Sequence, residues 1–202
     1  MEELLFIETI RVEDGIFVRP ELHLHRMRQT VREAYGVAFN FDLADGSIPL
    51  QHRKGTVKCR IVYGRSLSEI SFVPYVPREI RSLRLVAADD ELDYHLKYAD
   101  RSALARLLQR RDDCDEILIV RDGAITDTSY SNVAFFDGRE YVTPDTFLLN
   151  GTRRQYLLGT GVLTERRITP SDLGGFERVV LINAMLGIED DLAVPIERIR
   201  GL

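Results

Sequence analysis

The sequence predicts an α+β protein arranged in two lobes, and three observations carry that prediction. Strand-length runs of alternating apolar and polar residues are joined by Asp-Gly pairs at 14–15, 122–123 and 137–138, a dipeptide that suits a tight hairpin. Helix-period segments open at Pro20, near Ser102 and after Gly151, so helices are interspersed with the strands. Between the halves, Pro74, Pro77 and the charged run PREIRS interrupt any regular element. They mark the expected junction between a smaller α+β lobe over 1–78 and a larger one over 79–202. A cleft between two such lobes is the default place for a ligand.

Taken in order, LLFIETIRVEDGIFV reads as a hairpin turning at Asp14-Gly15. Pro20 suits the first turn of a helix, because its missing N–H would have no partner there, and Gly36 suits its end. Within that helix Leu24, Met27, Val31 and Ala34 recur at three- and four-residue spacing and form the expected buried stripe, with Arg26 beside it. FDLADGSIPLQHRKG reads as a short helix and loop, and TVKCRIVYG and LSEISFVPYV as two more strands. LRLVAA opens the second half, Ser102 to Arg111 has helical character, and DEILIVRDG with AITDT forms a hairpin. NVAFFDGREYVTP forms another, followed by a helix from Gly151 to about Gly159. LTERRIT, FERVVLINAM and LAVPIERI are the remaining expected strands, with TPSDL as a capped turn.

Composition narrows the function classes. With 45% apolar and 29% charged residues over 202, the chain has the balance of a soluble globular protein with a substantial core. A net charge of -5 gives no support to nucleic-acid binding, and no apolar run approaches the ~18 residues that cross a membrane. Glu2 and Glu3 after Met1 argue against a signal peptide. Cys59 and Cys114 build neither a disulfide framework nor a metal-ligand spacing, so a reducing cytoplasm is expected and no metal site.

The chemistry concentrates between Leu92 and Arg154. There Lys97 is followed by DEILIVRDG, by D-x-S-x-x-N-V over 127–133, by VTP and by LLNGTRR. FIETIRVEDG and ELHLHRM near the start and LINAMLGI near the end complete a set of motifs in one order. This set resembles the class IV aminotransferases, the fold-type IV pyridoxal phosphate (PLP) enzymes that include branched-chain and D-amino acid aminotransferases and 4-amino-4-deoxychorismate lyase. The resemblance implies the D-amino acid aminotransferase-like fold, PLP in the interlobe cleft and a homodimer. It also implies a role for each matching residue. Lys97 matches the lysine that joins the cofactor's aldehyde and moves the substrate's proton, chemistry for which desolvation makes a lysine amine available. Arg26, with His23 as the motif histidine, matches a phosphate ligand; Asp127 matches the acid facing the pyridine nitrogen, where the family usually has glutamate. Aspartate reaches about 1.5 Å less, one carbon-carbon bond.

Ser131 and Asn132 match the polar pair beyond that acid, and Asn132 could orient the carboxylate or the lysine. Gly151, Thr152 and Arg153 match the phosphate-binding turn, and a glycine turn opening a helix does aim N–H groups and a positive dipole end at an anion. Asn183 and Ala184 resemble a second phosphate-side loop, with a plain turn asparagine as the other reading. Thr9 matches the threonine that faces substrate in the lyase, or is a core-facing strand residue. FIETIRVEDG, the Lys97 to Arg101 run and LINAM point to the lyase branch, which eliminates pyruvate to give 4-aminobenzoate. A small branched-chain or D-amino acid aminotransferase using a 2-oxo acid is the alternative, and a non-catalytic PLP-binding or interaction protein a further one.

Overall fold

The computed structural model describes residues 3–43, 48–88, 92–190 and 192–201. The chain divides into two compact units, Met1–Pro77 with Leu96–Asp100, and Arg78–His95 with Arg101–Leu202.

In the first unit, strand β1 (Phe6–Glu13) turns at Asp14 and Gly15 into β2 (Ile16–Phe17), and both turn residues have positive φ, 47° and 82°. Helix α1 (Pro20–Tyr35) follows, then β3 (Thr56–Tyr63) and β4 (Leu67–Pro74). The sheet order is β2-β1-β3-β4, antiparallel throughout. The register Phe6 opposite Tyr63, Ile10 opposite Cys59 and Val12 opposite Val57 puts one apolar set on one face. Leu24, Met27 and Val31 of α1 cover that face, and each fully buried side chain of this size contributes about 1.5–3 kcal/mol. Gly36, at φ 69°, ends the helix with its N–H on the Arg32 carbonyl. Of the helix and loop expected over 41–55, residues 44–47 lie outside the described residues, and one 3-10 turn, Leu50–His52, lies within them.

β2 is so short that it leaves the amino end of β1 without a neighbour on that side. Residues 96–99 fill the edge: Ile7 N–H donates to the Lys97 carbonyl at 2.9 Å, Ala99 N–H to the Leu5 carbonyl at 2.8 Å, and Phe6 bridges Tyr98. Lys97, which the sequence assigns to the larger lobe, therefore packs with the smaller unit.

The second unit is a sandwich of two sheets. One, ordered β13-β5-β6-β7, contains β5 (Leu83–Ala87), β6 (Glu116–Arg121), β7 (Ala124–Ile125) and β13 (Ile199–Arg200). β5 and β6 run parallel, with helix α2 (Ser102–Leu108) in the crossover that a parallel pair requires. The other, ordered β10-β9-β8-β11-β12, contains β8 (Asn132–Phe136), β9 (Tyr141–Pro144), β10 (Leu163–Arg166), β11 (Arg178–Ile182) and β12 (Ala193–Pro195). Helix α3 (Thr152–Gly159) connects the parallel pair β9 and β10. Leu85, Leu118 and Ile125 of the first sheet meet Val133, Phe135, Val179 and Leu181 of the second in one core. Val180 and Ile182 point the other way, onto Leu157 of α3, so β11 is apolar on both faces. The expected strand FERVVLINAM stops at Ile182, and LAVPIERI divides between β12 and β13 in different sheets. Among the described residues no helix is long and apolar enough to cross a membrane.

Candidate active site

The residues singled out by sequence separate into two groups. Thr9, His23, Arg26 and Lys97 belong to the first unit; Asp127, Asn132, Gly151, Thr152, Arg153, Asn183 and Ala184 belong to the second.

In the first unit, alternation along β1 turns Phe6, Glu8, Ile10 and Val12 toward α1 and Ile7, Thr9 and Arg11 away from it. Lys97, half-buried, lies across from Ile7, so it is in phase with Thr9, and Thr9 is half-buried as well. Glu8 is a fully buried carboxylate in phase with the apolar set. It gathers four contacts. Arg26 donates from Nε to Glu8 Oε2 at 3.0 Å and from Nη2 to Oε1 at 2.5 Å, His23 Nδ1 lies 3.0 Å from Oε1, and Thr9 N–H donates to Oε1 at 3.0 Å. His23 and Arg26 reach one carboxylate because three residues along a helix return nearly to the same face. Burial alone would raise the Glu8 pKa, but the Arg26 and His23 charges and hydrogen bonds overcome it and hold the carboxyl far below the usual range. Burial, with the Glu8 charge nearby, also pushes the Cys59 thiol up to about 12, which leaves it unreactive.

The second group is assembled around Asp127, just past β7 and 5% exposed. Its Oδ1 accepts from Asn132 Nδ2 at 2.8 Å, and its Oδ2 accepts from the Leu148 and Leu149 backbone N–H groups, each at 3.0 Å. Asn132 Nδ2 also donates to the Leu149 carbonyl at 2.8 Å. The same asparagine abuts Gly151, where a Cβ would lie 2.1 Å from Asn132 Oδ1. Burial pushes the Asp127 carboxyl up to about 6, against the pull of those three hydrogen bonds and the Arg154 charge.

Gly151 caps α3 without a side-chain hydrogen bond, and the first turn of α3 carries no acidic residue. Arg153 and Arg154, in that turn, are buried, where helix-start arginines are ordinarily solvated. Arg154 is tied into its surroundings: Nη2 donates to the Pro144 carbonyl at 2.9 Å and pairs with Glu165, and the guanidinium lies over the Phe147 ring. Arg153 pairs through Nη2 with Glu189, crossing Gly187, whose added Cβ would sit 2.2 Å from that Nη2. Its Nε is buried with no hydrogen-bond partner among the described residues. Asn183 accepts from Met185 N–H at 2.8 Å and Leu186 N–H at 3.0 Å, so its amide oxygen is spent on its own turn, which also carries Ala184. That favours the turn reading for its side chain.

Sequence reasoning missed Glu8, although its signal was present: a carboxylate in phase with the buried residues of a strand. It also missed Glu116, fully buried, whose Oε1 accepts from Ser129 N–H at 3.3 Å while Arg101 Nη2 donates to the Ser129 carbonyl at 2.6 Å. The two hold the two peptide groups that flank the Ser129 Cα, in the segment between Asp127 and Asn132. No local signal marks that pairing, because 28 residues separate Arg101 from Ser129.

Comparison with known proteins adds an independent line. A model of the family described as class IV amino-transferase matches residues 5–190. An uncharacterized protein of Haemophilus influenzae is 38% identical over 186 residues, covering 90% of this chain and 97% of that protein. Among solved structures, a proposed 4-amino-4-deoxychorismate lyase from Haemophilus somnus is 33% identical, with a TM-score of 0.81 over 93% of this chain and 100% of that one. A hypothetical aminotransferase from Mycobacterium tuberculosis, in its α-ketoglutarate and PMP bound form, is 20% identical with a TM-score of 0.77, covering 98% of this chain and 81% of that one, which speaks to the fold.

Proposed function

Since the chain belongs to the class IV aminotransferase family, and so is a pyridoxal 5′-phosphate enzyme, we propose that it is a lyase of the aminodeoxychorismate type, releasing pyruvate and leaving 4-aminobenzoate.

The second unit fits the cofactor on three counts. Asp127 is a buried carboxylate whose surroundings, among the described residues, supply amide donors but no guanidinium or ammonium in hydrogen-bond contact, and a protonated ring nitrogen would favour its charged form. The uncapped start of α3 suits a phosphate, as does the unpartnered Arg153 Nε. Gly151 and Gly187 let Asn132 Oδ1 and the Arg153 guanidinium, groups beside the two proposed contacts, lie against the backbone where a Cβ would not fit. When bound, the cofactor supplies an electron sink for the carbon that bears the substrate's amine.

The roles of this chain's residues follow. We assign Lys97 to the cofactor's aldehyde and to removal of the proton from the amine-bearing carbon, and Asp127, steadied by Asn132, to the ring nitrogen. Arg26, Gly151, Thr152 and Arg153 are assigned to the phosphate, with Asn183 and Ala184 contributing a shaped turn. Loss of that proton and cleavage of the carbon-oxygen bond to the enolpyruvyl group aromatise the ring. The leaving enolpyruvate then needs a proton, and Thr9 is the residue we assign to deliver it.

The observation that carries the lyase reading is the place of Thr9. Its backbone is tied to Glu8, and its side chain is in phase with Lys97 on β1 and the edge segment paired to it. The 33% identity to the Haemophilus somnus protein over nearly the whole chain supports it. The reading includes a homodimer, consistent with Ile16, Val73 and Val76 exposed at 70%, 49% and 83%, and a cytoplasmic setting, consistent with two free cysteines.

The test is incubation with aminodeoxychorismate alone, then with amino acids and a 2-oxo acid. Pyruvate and 4-aminobenzoate without an oxo acid are expected, and borohydride reduction is expected to fix the cofactor's mass on Lys97. Turnover that requires an oxo acid would make the protein a transaminase.

A further inference from the structure

We propose that Glu8 is a positioning residue: it sets the plane of the Arg26 guanidinium for the cofactor's phosphate and ties that guanidinium to the strand carrying Thr9. This rests on the assignment of Arg26 to the phosphate made above.

The argument begins from cost. A carboxylate held at 0% exposure must be compensated, and a buried ion pair is commonly no more stabilising than apolar residues of the same volume. Glu8 sits in phase with Phe6, Ile10 and Val12, where an apolar side chain would complete the core under α1. Stability therefore does not explain a glutamate there. Geometry does. Arginine carries large rotamer entropy, and a rigid fork of donors that binds phosphate well only when its plane is fixed. Glu8 fixes it by accepting from both Nε and Nη2, with Nη1 outside that bidentate pair. The grip is itself held. His23 Nδ1 and Thr9 N–H contact the same Oε1, so the carboxylate cannot rotate without losing contacts to both β1 and α1. With its side chain 13% exposed, Arg26 still reaches the surface of the unit.

The experiment compares the affinity of cofactor-free protein for PLP and for pyridoxal, which lacks the phosphate, by absorbance titration. In wild type, PLP is expected to bind more tightly than pyridoxal, with a preference that Arg26→Ala lowers. Glu8→Gln is expected to weaken PLP about tenfold or more, the scale of one charge-assisted hydrogen bond, while pyridoxal affinity changes by about twofold or less. In the Arg26→Ala background, Glu8→Gln should leave the remaining ratio unchanged, whereas an effect of Glu8 on the phosphate through groups other than Arg26 would lower it further. Glu8→Asp keeps the charge but withdraws it by about one carbon-carbon bond, and serves if the glutamine variant fails to fold; it too should lower the preference. An unchanged preference in either folded Glu8 variant, with Arg26→Ala still lowering it, overturns the role of Glu8 and leaves the phosphate assignment standing. Wild type that binds no PLP overturns the functional reading itself.

Discussion

Asp127 illustrates how one side chain is set by its surroundings. An ordinary aspartyl side chain titrates near 3.8, and burial lifts this one to about 6 despite three hydrogen bonds. The sign of the linkage follows. Between those two values the folded protein holds the proton more often than the unfolded chain, so stability from this group is fully present below about 3.8 and lost as pH rises through about 6. In cofactor-free Asp127→Asn that slope is expected to vanish, which urea unfolding at several pH values between about 4 and 7 would read as the difference from wild type. With PLP bound, Asp127→Asn is expected to retain the cofactor but turn over on the order of tenfold or more slowly, since a neutral amide no longer favours a protonated ring nitrogen. An unchanged rate would remove Asp127 from the site.

At the scale of elements, the start of α3 is the demanding feature. Gly151 has an ordinary extended backbone, φ -67° and ψ 143°, so its glycine is required by space and not by conformation. Gly151→Ala would press a methyl against Asn132 Oδ1, displacing the amide that holds Asp127. The expected cost is roughly 1–3 kcal/mol in unfolding free energy, with weaker PLP binding as well. Gly159, at the far end of the same helix, has nothing within 4 Å of an added Cβ. Gly159→Ala should be neutral or stabilise by about 0.5–1 kcal/mol. Similar costs at both positions would refute the steric account.

For the whole molecule, the prediction concerns assembly. Ile16 on β2 and Val73 on β4 are apolar and exposed on the two edge strands of the first sheet, edges that natural proteins rarely leave bare. Light scattering on the eluting protein is expected to give twice the chain's mass, and replacing Ile16 and Val73 by lysine should shift it toward the monomer without unfolding it. A monomeric wild type would end the dimer reading.

Much of the architecture was legible because periodicity and turn chemistry are local. The Asp-Gly hairpins, the α1 stripe of Leu24, Met27 and Val31, and the strand-to-helix glycine at 151 are each written within a few residues. The spaced motifs around Lys97 and Asp127 likewise sufficed to point to the family. Tertiary structure alone decided what those residues touch. It took Lys97 from the larger lobe to the edge of β1, since a two-residue β2 leaves backbone groups there that only a distant segment satisfies. It buried Arg153 and Arg154 at a helix start where sequence expects solvated cations. It joined Glu8 to Arg26 across 18 residues, because the low-dielectric interior makes every buried charge find its partner wherever the fold brings one within reach.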